Sequence, residues 1–161
     1  MLVAKGFTLP ELAAVLAIVA ILAALAAPSF SDLIANQKAA AISADVDAAL
    51  SVARGEATKR NAGMWLCPTT SGVSGWKDGW RIQDAVCSDS GVGVTIAAAH
   101  GAVAGATITG PTSVEYQSSG RVKGGTAPAF TITIVSGLSS VTKYVCADLS
   151  GRPRSNSTGC S

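Results

Sequence analysis

The stretch Gly151–Arg154 has the clearest potential to bind an anion, because two arginines stand close together in it. Arg152 and Arg154 flank Pro153, whose ring fixes the local backbone in an extended form. A guanidinium group donates forked hydrogen bonds that match the geometry of a phosphate. The surroundings are also basic, since five lysines and arginines stand against two acids from Glu115 onward. The pattern predicts contact with phosphates; a solvated turn, or ion pairs with a neighbouring acid, would explain it as well.

Four cysteines could hold a metal ion or form two disulfides: Cys67, Cys87, Cys146 and Cys160. The chain has no Cys-x-x-Cys motif and one histidine, so we expect no metal site. All four follow an apolar, membrane-type N-terminus, which favours an oxidising compartment. Three pairings are possible. We favour Cys67–Cys87 and Cys146–Cys160 because each pair brackets a turn-rich stretch, and each closed loop would add roughly 3 kcal/mol of stability.

Three further basic residues would extend the anion-binding surface if the fold brought them to the same side: Arg121, Lys123 and Lys143. The formal net charge of +2 is too small to indicate nucleic-acid binding by itself. A Cys146–Cys160 bridge would close the arginine segment into a loop and reduce the entropy lost on binding. If the ligand is DNA, we expect binding to be independent of sequence and strongly dependent on salt.

Residues for catalysis are not grouped in any recognisable pattern. His100 lies in a run of small residues that we interpret as a loop, Ala97–Ala102. The sequence has no clustered carboxylates, no phosphate-cradling Gly-Lys-Ser/Thr loop and no Ser–His–Asp spacing. We therefore expect a protein that is not an enzyme and that uses no cofactor.

The apolar run Phe7–Ala27 carries a single charge, Glu11. As a helix, it would be roughly 30 Å long, enough to cross a bilayer. An acid costs about 2.5–3.5 kcal/mol at the centre of a membrane helix, so its presence indicates a function. A secretory signal peptide cleaved near Ala24–Ala26 leaves Glu11 unexplained, and so does a permanent anchor with Lys5 in the cytoplasm.

The N-terminal motif Gly-Phe-Thr-Leu-x-Glu resembles the class III signal of type IV pilins and of the pseudopilins of type II secretion. The resemblance implies that residues 1–6 are a leader, that a prepilin peptidase cuts after Gly6, and that the new N-terminal Phe7 is methylated. It also implies that Glu11 serves assembly. The amine of Phe7 and the carboxylate of Glu11 could pair within one helical turn or between subunits, which would offset the cost of a charge in lipid.

A long helix is predicted to carry these residues, in two halves. Residues 7–28 form the transmembrane half, and Pro28 should kink or locally melt the helix. Residues 29–62 form an amphipathic half, and Asn61–Gly63 is a typical helix stop. The apolar residues of this second half, which recur near the helical period, are Phe30, Leu33, Ile34, Ile42, Val46, Leu50 and Ala53.

Residues 63–161 predict a β domain, because short apolar segments alternate with Gly- and Ser-rich gaps. The strand candidates are Met64–Cys67, Gly91–Ala98, Ala104–Thr109, Ser113–Gln117, Ala129–Val135 and Val141–Leu149. We expect a polar tail after the last of these. Trp76 and Trp80 flank an Asp-Gly turn signal and should pack in the core. The chain is therefore expected to be α+β, with a long helical spine on an antiparallel sheet domain.

Internal motifs resemble the FimT/FimU group of minor pilins, whose soluble part is called GspH-like. They are Leu-Cys-Pro at 66–68, Trp-x-x-Gly-Trp at 76–80 and a Ser-Ser-Gly-Arg turn at 118–121. In FimT-like proteins a Gly-Arg-x-Arg motif near the C-terminus is associated with binding DNA during natural transformation. That motif matches Gly151, Arg152 and Arg154.

The resemblance implies a minor pilin built into a type IV pilus that binds double-stranded DNA. Its partners would be other major and minor pilins, a prepilin peptidase and the bacterial inner membrane. The β domain would lie in the periplasm until the subunit enters the extracellular pilus. The alternative is a type II secretion pseudopilin without a role in DNA binding.

Overall fold

The computed structural model describes residues 8–88, 94–137 and 139–160, except for the side chains of residues 23–29. Gly6 and Phe7 therefore lie outside the described residues, as do the side chain of Pro28 and the first three positions of the strand candidate Gly91–Ala98. Among the described residues, no helical stretch is both long enough and apolar enough to cross a bilayer.

Helix α1 runs from Leu9 to Arg60 without interruption. Pro10 is in its first turn, where the backbone N–H groups have no intrahelical partner and proline costs little. The backbone remains helical at position 28, so the expected local melting is not found; a proline removes one hydrogen bond and its φ is compatible with a helix. The helix stops at Asn61, which is left-handed, with the Ala62 N–H donating to the Ala57 carbonyl over 3.2 Å.

The C-terminal part of α1 packs on the β domain through a stripe at helical spacing. The stripe consists of Ala35, Ala39, Ile42, Val46, Ala49, Leu50, Ala53 and Ala57. The four predicted positions from Ile42 onward are buried, whereas Phe30, Leu33 and Ile34 are more than half exposed. The predicted stripe was therefore too long at its N-terminal end, because the sheets cover the helix only from Ala35 onward.

The strands form two four-stranded antiparallel sheets within the described residues, in the orders β3-β2-β1-β5 and β4-β6-β7-β8. Their bounds are β1 Met64–Pro68, β2 Trp80–Gln83, β3 Ile96–His100, β4 Thr107–Thr109, β5 Val114–Tyr116, β6 Ala129–Ser136, β7 Ser139–Ala147 and β8 Pro153–Asn156. A 3-10 helix, Gly75–Asp78, precedes β2. The predicted α+β class, with a helix on an antiparallel sheet domain, is confirmed.

The core between helix and sheets contains both predicted tryptophans. Trp76 is fully buried, meets the ring of Phe130 edge-on at 4.8 Å and donates from Nε1 to the Pro111 carbonyl over 2.8 Å. Trp80 is 3% exposed and stacks on His100 at 4.2 Å. His100 was wrongly expected in a loop: it closes strand β3, where pairing with β2 places its ring on that of Trp80.

The C-terminal tail also differs from the prediction. Strand β7 ends at Ala147 instead of Leu149, and a further strand, β8, pairs with it along the sheet edge. Strand β8 was not predicted because its residues are polar, and an edge strand with one exposed face needs few apolar side chains. The structure joins Cys146 to Cys160, which ties the tail to β7, and Cys67 to Cys87. These are the pairs favoured from the sequence.

Candidate nucleic-acid interface

The turn between β7 and β8 presents the predicted arginines. Ala147 pairs with Pro153, and five residues connect the two strands. The connection turns where the Gly151 N–H donates to the Asp148 carbonyl over 2.9 Å. The Asp148 carboxylate fastens the turn from one side: it accepts from the Ser150 hydroxyl at 2.5 Å and from the Arg152 N–H at 3.0 Å. These bonds, the Ser150 one above all, lower the pKa of Asp148, so the carboxylate stays ionised and the turn stays fixed.

Gly151 brings this turn against a second one. Its α-carbon is so close to the Gly120 carbonyl that an added Cβ would lie 2.1 Å from that oxygen. Beside it, the Val122 N–H donates to the Leu149 carbonyl over 3.2 Å. The segments that carry Arg121 and Arg152 are thus held side by side, and both arginines are exposed. The fold therefore assembles a basic surface from residues that are distant in sequence.

Arg154 lies in β8 and is exposed. In the register it is opposite Cys146. The neighbouring pair is Ala147, which lies in the core, and Pro153, which lines a groove with residues of α1. Because paired residues in an antiparallel ladder share a face, Arg154 lies on the face of the sheet away from the helix. It adds a positive charge next to the turn rather than within it.

Two of the predicted basic residues do not join the turn. The Nζ of Lys123 is 2.7 Å from a carboxylate oxygen of Glu115, so its charge is largely balanced in place. Lys143 is half-buried on the helix-facing side of β7, where it lines a groove with Asp47 and Ser155. Of the three residues suggested as an extension, Arg121 is the one whose segment packs against the turn that carries Arg152.

Arg54 of helix α1 contacts the turn that contains Gly120. The sequence did not predict this contact. Its Nε donates to the Gly120 carbonyl over 3.1 Å, across a separation of 66 residues. A helix-face arginine is ordinary in sequence, and no local pattern connects it to a distant glycine turn. Only the packing of the helix against the two turns could reveal it.

Beneath the turns, Tyr116 fills the space between them and the core. Its ring lies 3.0 Å from where a Cβ of Gly151 would stand, and its hydroxyl is buried without a hydrogen-bond partner among the described residues. Burial, above all, raises the pKa of Tyr116 to about 12, so the phenol stays neutral. The two turns therefore rest on a neutral, buried side chain.

The described residues contain no group of His, Cys, Asp and Glu side chains able to hold a metal ion. The chemistry that the site can perform is the binding of anions. Forked guanidinium donors suit the oxygens of an anion such as phosphate.

Comparisons with known proteins agree with this architecture. The family model described as "Type II transport protein GspH" matches residues 43–151, and that of the "Prokaryotic N-terminal methylation motif" matches residues 1–27. No curated protein matches the chain.

Two solved structures, crystal forms of the Pseudomonas aeruginosa type IV minor pilin FimU, resemble the chain at 16% identity. The alignment with the first has a TM-score of 0.64 and covers 78% of this chain and 94% of the FimU chain. The alignment with the second has a TM-score of 0.59 and covers 73% of this chain and 94% of the FimU chain. At this identity the likeness establishes the fold. The GspH match spans more than half of the sequence, and the protein therefore belongs to the GspH family.

Proposed function

We propose that this protein is a minor pilin of a type IV pilus and that it binds double-stranded DNA without sequence preference. Membership of the GspH family, the methylation motif and the fold shared with a minor pilin support the pilin role. The observation that carries the DNA role is the docking of the Gly120 turn on the Gly151 turn, which brings together the segments that carry Arg121 and Arg152.

In this proposal the N-terminal helix first anchors the subunit in the inner membrane, with the β domain in the periplasm, and then packs in the filament. A prepilin peptidase cleaves the leader between Gly6 and Phe7, and Phe7 is methylated. Along α1, large apolar side chains from Leu9 to Leu22 and again from Phe30 to Ile34 are more than half exposed in the isolated chain. Burial against other pilins would remove this surface from water or lipid.

Glu11 supplies the polar contact of that assembly. Its carboxylate accepts from the Thr8 N–H at 2.9 Å and from the Thr8 hydroxyl at 2.8 Å, so it points toward the start of the helix. After cleavage the amine of Phe7 would be next to Thr8. The carboxylate is thus turned to the side from which the amine of its own chain or of a neighbouring subunit would approach.

DNA binding is tested with the full chain in a non-ionic detergent and a short fluorescein-labelled duplex, titrated at several salt concentrations. We expect the double variant Arg152→Gln/Arg154→Gln to bind more weakly by roughly fivefold per lost phosphate contact near physiological salt. The slope of log affinity against log salt should fall by about 1 per contact.

The matched control is Lys38→Gln/Lys77→Gln, which removes the same charge from two exposed side chains outside the turns. The 3-10 helix that carries Lys77 contacts β4, at the opposite sheet edge from β8. If both double variants bind DNA equally, the arginine turn has no specific role in DNA binding, and the proposal that the turn is the DNA site is wrong.

The alternative is a pseudopilin of type II secretion, which the description of the matching family model favours. It would share the processing, the helix packing and the β domain, and would have no affinity for DNA beyond that of its net charge. Recovery of the protein from sheared surface pili supports the first function. Recovery only with secretion components, together with wild-type affinity in the double variant, supports the second.

A further inference from the structure

A second basic surface lies directly behind the arginine turn, in an open groove of about 600 Å³ between helix α1 and β8. The residues that line it are Ser51, Arg54, Gly55, Thr58, Lys59, Ser119 and Pro153. Two cations and three hydroxyl groups contribute to this lining, and none of the lining residues is acidic. An anion would therefore meet donors on several sides without a repelling carboxylate at the wall.

Arg54 is held in position for such a ligand. Its Nε is used by the Gly120 carbonyl, whereas its two terminal nitrogens have no partner among the described residues. The bond fixes the plane of the guanidinium group, so less side-chain entropy is lost when the terminal nitrogens bind an oxyanion. Arg54 is also half-buried, which strengthens its interaction with an anion relative to a fully exposed charge.

Lys59 supplies the second charge. Its side chain is 76% exposed, and its Nζ lies 3.4 Å from a carboxylate oxygen of Glu56. The same carboxylate is bound more closely by Arg60, at 2.7 Å, and this bond is the main reason that the pKa of Glu56 is lowered. Because Arg60 keeps Glu56 paired, Lys59 can turn toward the groove at little cost.

The groove is continuous with the arginine turn. Pro153 forms part of its wall and directly follows Arg152 of the turn, whereas Arg154 lies on the opposite face of β8. Ser119, on the opposite wall, belongs to the turn that carries Gly120 and Arg121. A strand of DNA whose phosphates contact the turn would therefore place further phosphates over the groove.

We propose that this groove binds a phosphodiester of the same DNA, through the terminal nitrogens of Arg54, the ammonium of Lys59 and the hydroxyl of Ser119. The inference rests on the proposed function, since it extends the DNA path from the turn onto the helix. Continuity with the turn favours DNA over the other plausible anion, a carboxylate of a neighbouring subunit.

The test uses the full chain in a non-ionic detergent and the short labelled duplex described above. We expect Arg54→Gln/Lys59→Gln to weaken binding by roughly fivefold for each lost contact near physiological salt, and to lower the salt slope by about 2. Lys38→Gln/Lys77→Gln, with the same loss of charge, should keep nearly the wild-type slope.

Arg54 also holds the Gly120 turn, so the single variant Lys59→Gln is measured as well, with thermal melting of every variant. Lys59 is on the surface of the helix, and its replacement should leave the melting temperature unchanged while the slope falls by about 1. An unchanged slope in Lys59→Gln together with control-like binding in the double variant would overturn the groove site.

The two proposals fail in different ways. Weak binding by the Arg152→Gln/Arg154→Gln variant, with control-like binding by the groove variants, contradicts the groove and leaves the turn. The reverse result supports the groove and contradicts the turn. Groove variants that keep DNA affinity but no longer enter filaments would show that the groove receives a carboxylate of another subunit, and the inference would be wrong.

Discussion

At Gly151 two constraints meet on one α-carbon. Its φ of +84° is in the left-handed region, and the Gly120 carbonyl occupies the position of a Cβ. We expect Gly151→Ala to lower the free energy of unfolding by about 3 kcal/mol or more, since backbone strain adds to a clash that side-chain movement cannot relieve. Urea denaturation measures this. Gly124→Ala, at φ +108° with open space around it, should cost only about 1–2 kcal/mol; equal losses would show that Gly151 does not fix the two turns together.

Asp148 makes the same turn sensitive to pH. Its pKa is below the ordinary value of 3.8, mainly because of the Ser150 hydroxyl. The ionised carboxylate therefore contributes stability above that value, and the contribution is lost as the pH falls through the lowered pKa. At neutral pH we expect Asp148→Asn to unfold at a lower midpoint concentration of urea than the wild type. In strong acid the two midpoints should be the same. The control is Asp78→Asn, because the carboxylate of Asp78 has no hydrogen bond among the described residues. A difference that stays constant with pH would contradict this account.

Helix α1 is one element with two different environments. Leu50 is fully buried against the sheets, whereas Ile34, about four turns earlier, is 63% exposed. We expect Leu50→Ala to cost about 2–5 kcal/mol of the free energy of unfolding, and Ile34→Ala to stay within about 0.5 kcal/mol. Ile34→Ala should instead reduce the amount of subunit in purified filaments. A large loss of stability in the Ile34 variant would mean that this half of the helix also packs within its own chain.

The elements differ in how far they could be predicted from sequence. The helix, its stop at Asn61 and strands such as β1 and β6 follow from local patterns, because their apolar periodicity reflects which face is buried. Strand β8 has no such pattern, since pairing with β7 and a disulfide hold it rather than apolar burial. Arg54 could not be assigned to the site either, because its contact with Gly120 depends on the tertiary packing. The arginine turn was visible in sequence because its chemistry is contiguous.

In the whole molecule, the surface proposed for filament packing lies far from the surface proposed for DNA binding. The run of more than half-exposed apolar side chains in the N-terminal half of α1 ends at Ile34, and the basic surface begins at Arg54, twenty residues further along the helix. At 1.5 Å per residue this is roughly 30 Å. A filament could therefore bury the N-terminal half of the helix while the paired turns stay open to solvent. Packing and DNA binding need not compete for the same surface.

In the proposed function, entry of the whole molecule into a filament requires removal of the leader after Gly6. We expect the mature protein to begin at Phe7, with a methylated amine, in N-terminal sequencing and intact mass. Gly6→Leu should block cleavage, because a bulky residue at the cut hinders entry of the backbone into the peptidase. The uncut chain should then stay in the membrane fraction and be missing from sheared filaments. Ala4→Leu, a similar change within the leader but away from the cut, should be processed normally. A mature protein that begins at Ala27 would identify an ordinary secretory signal and contradict the pilin function, whatever its affinity for DNA.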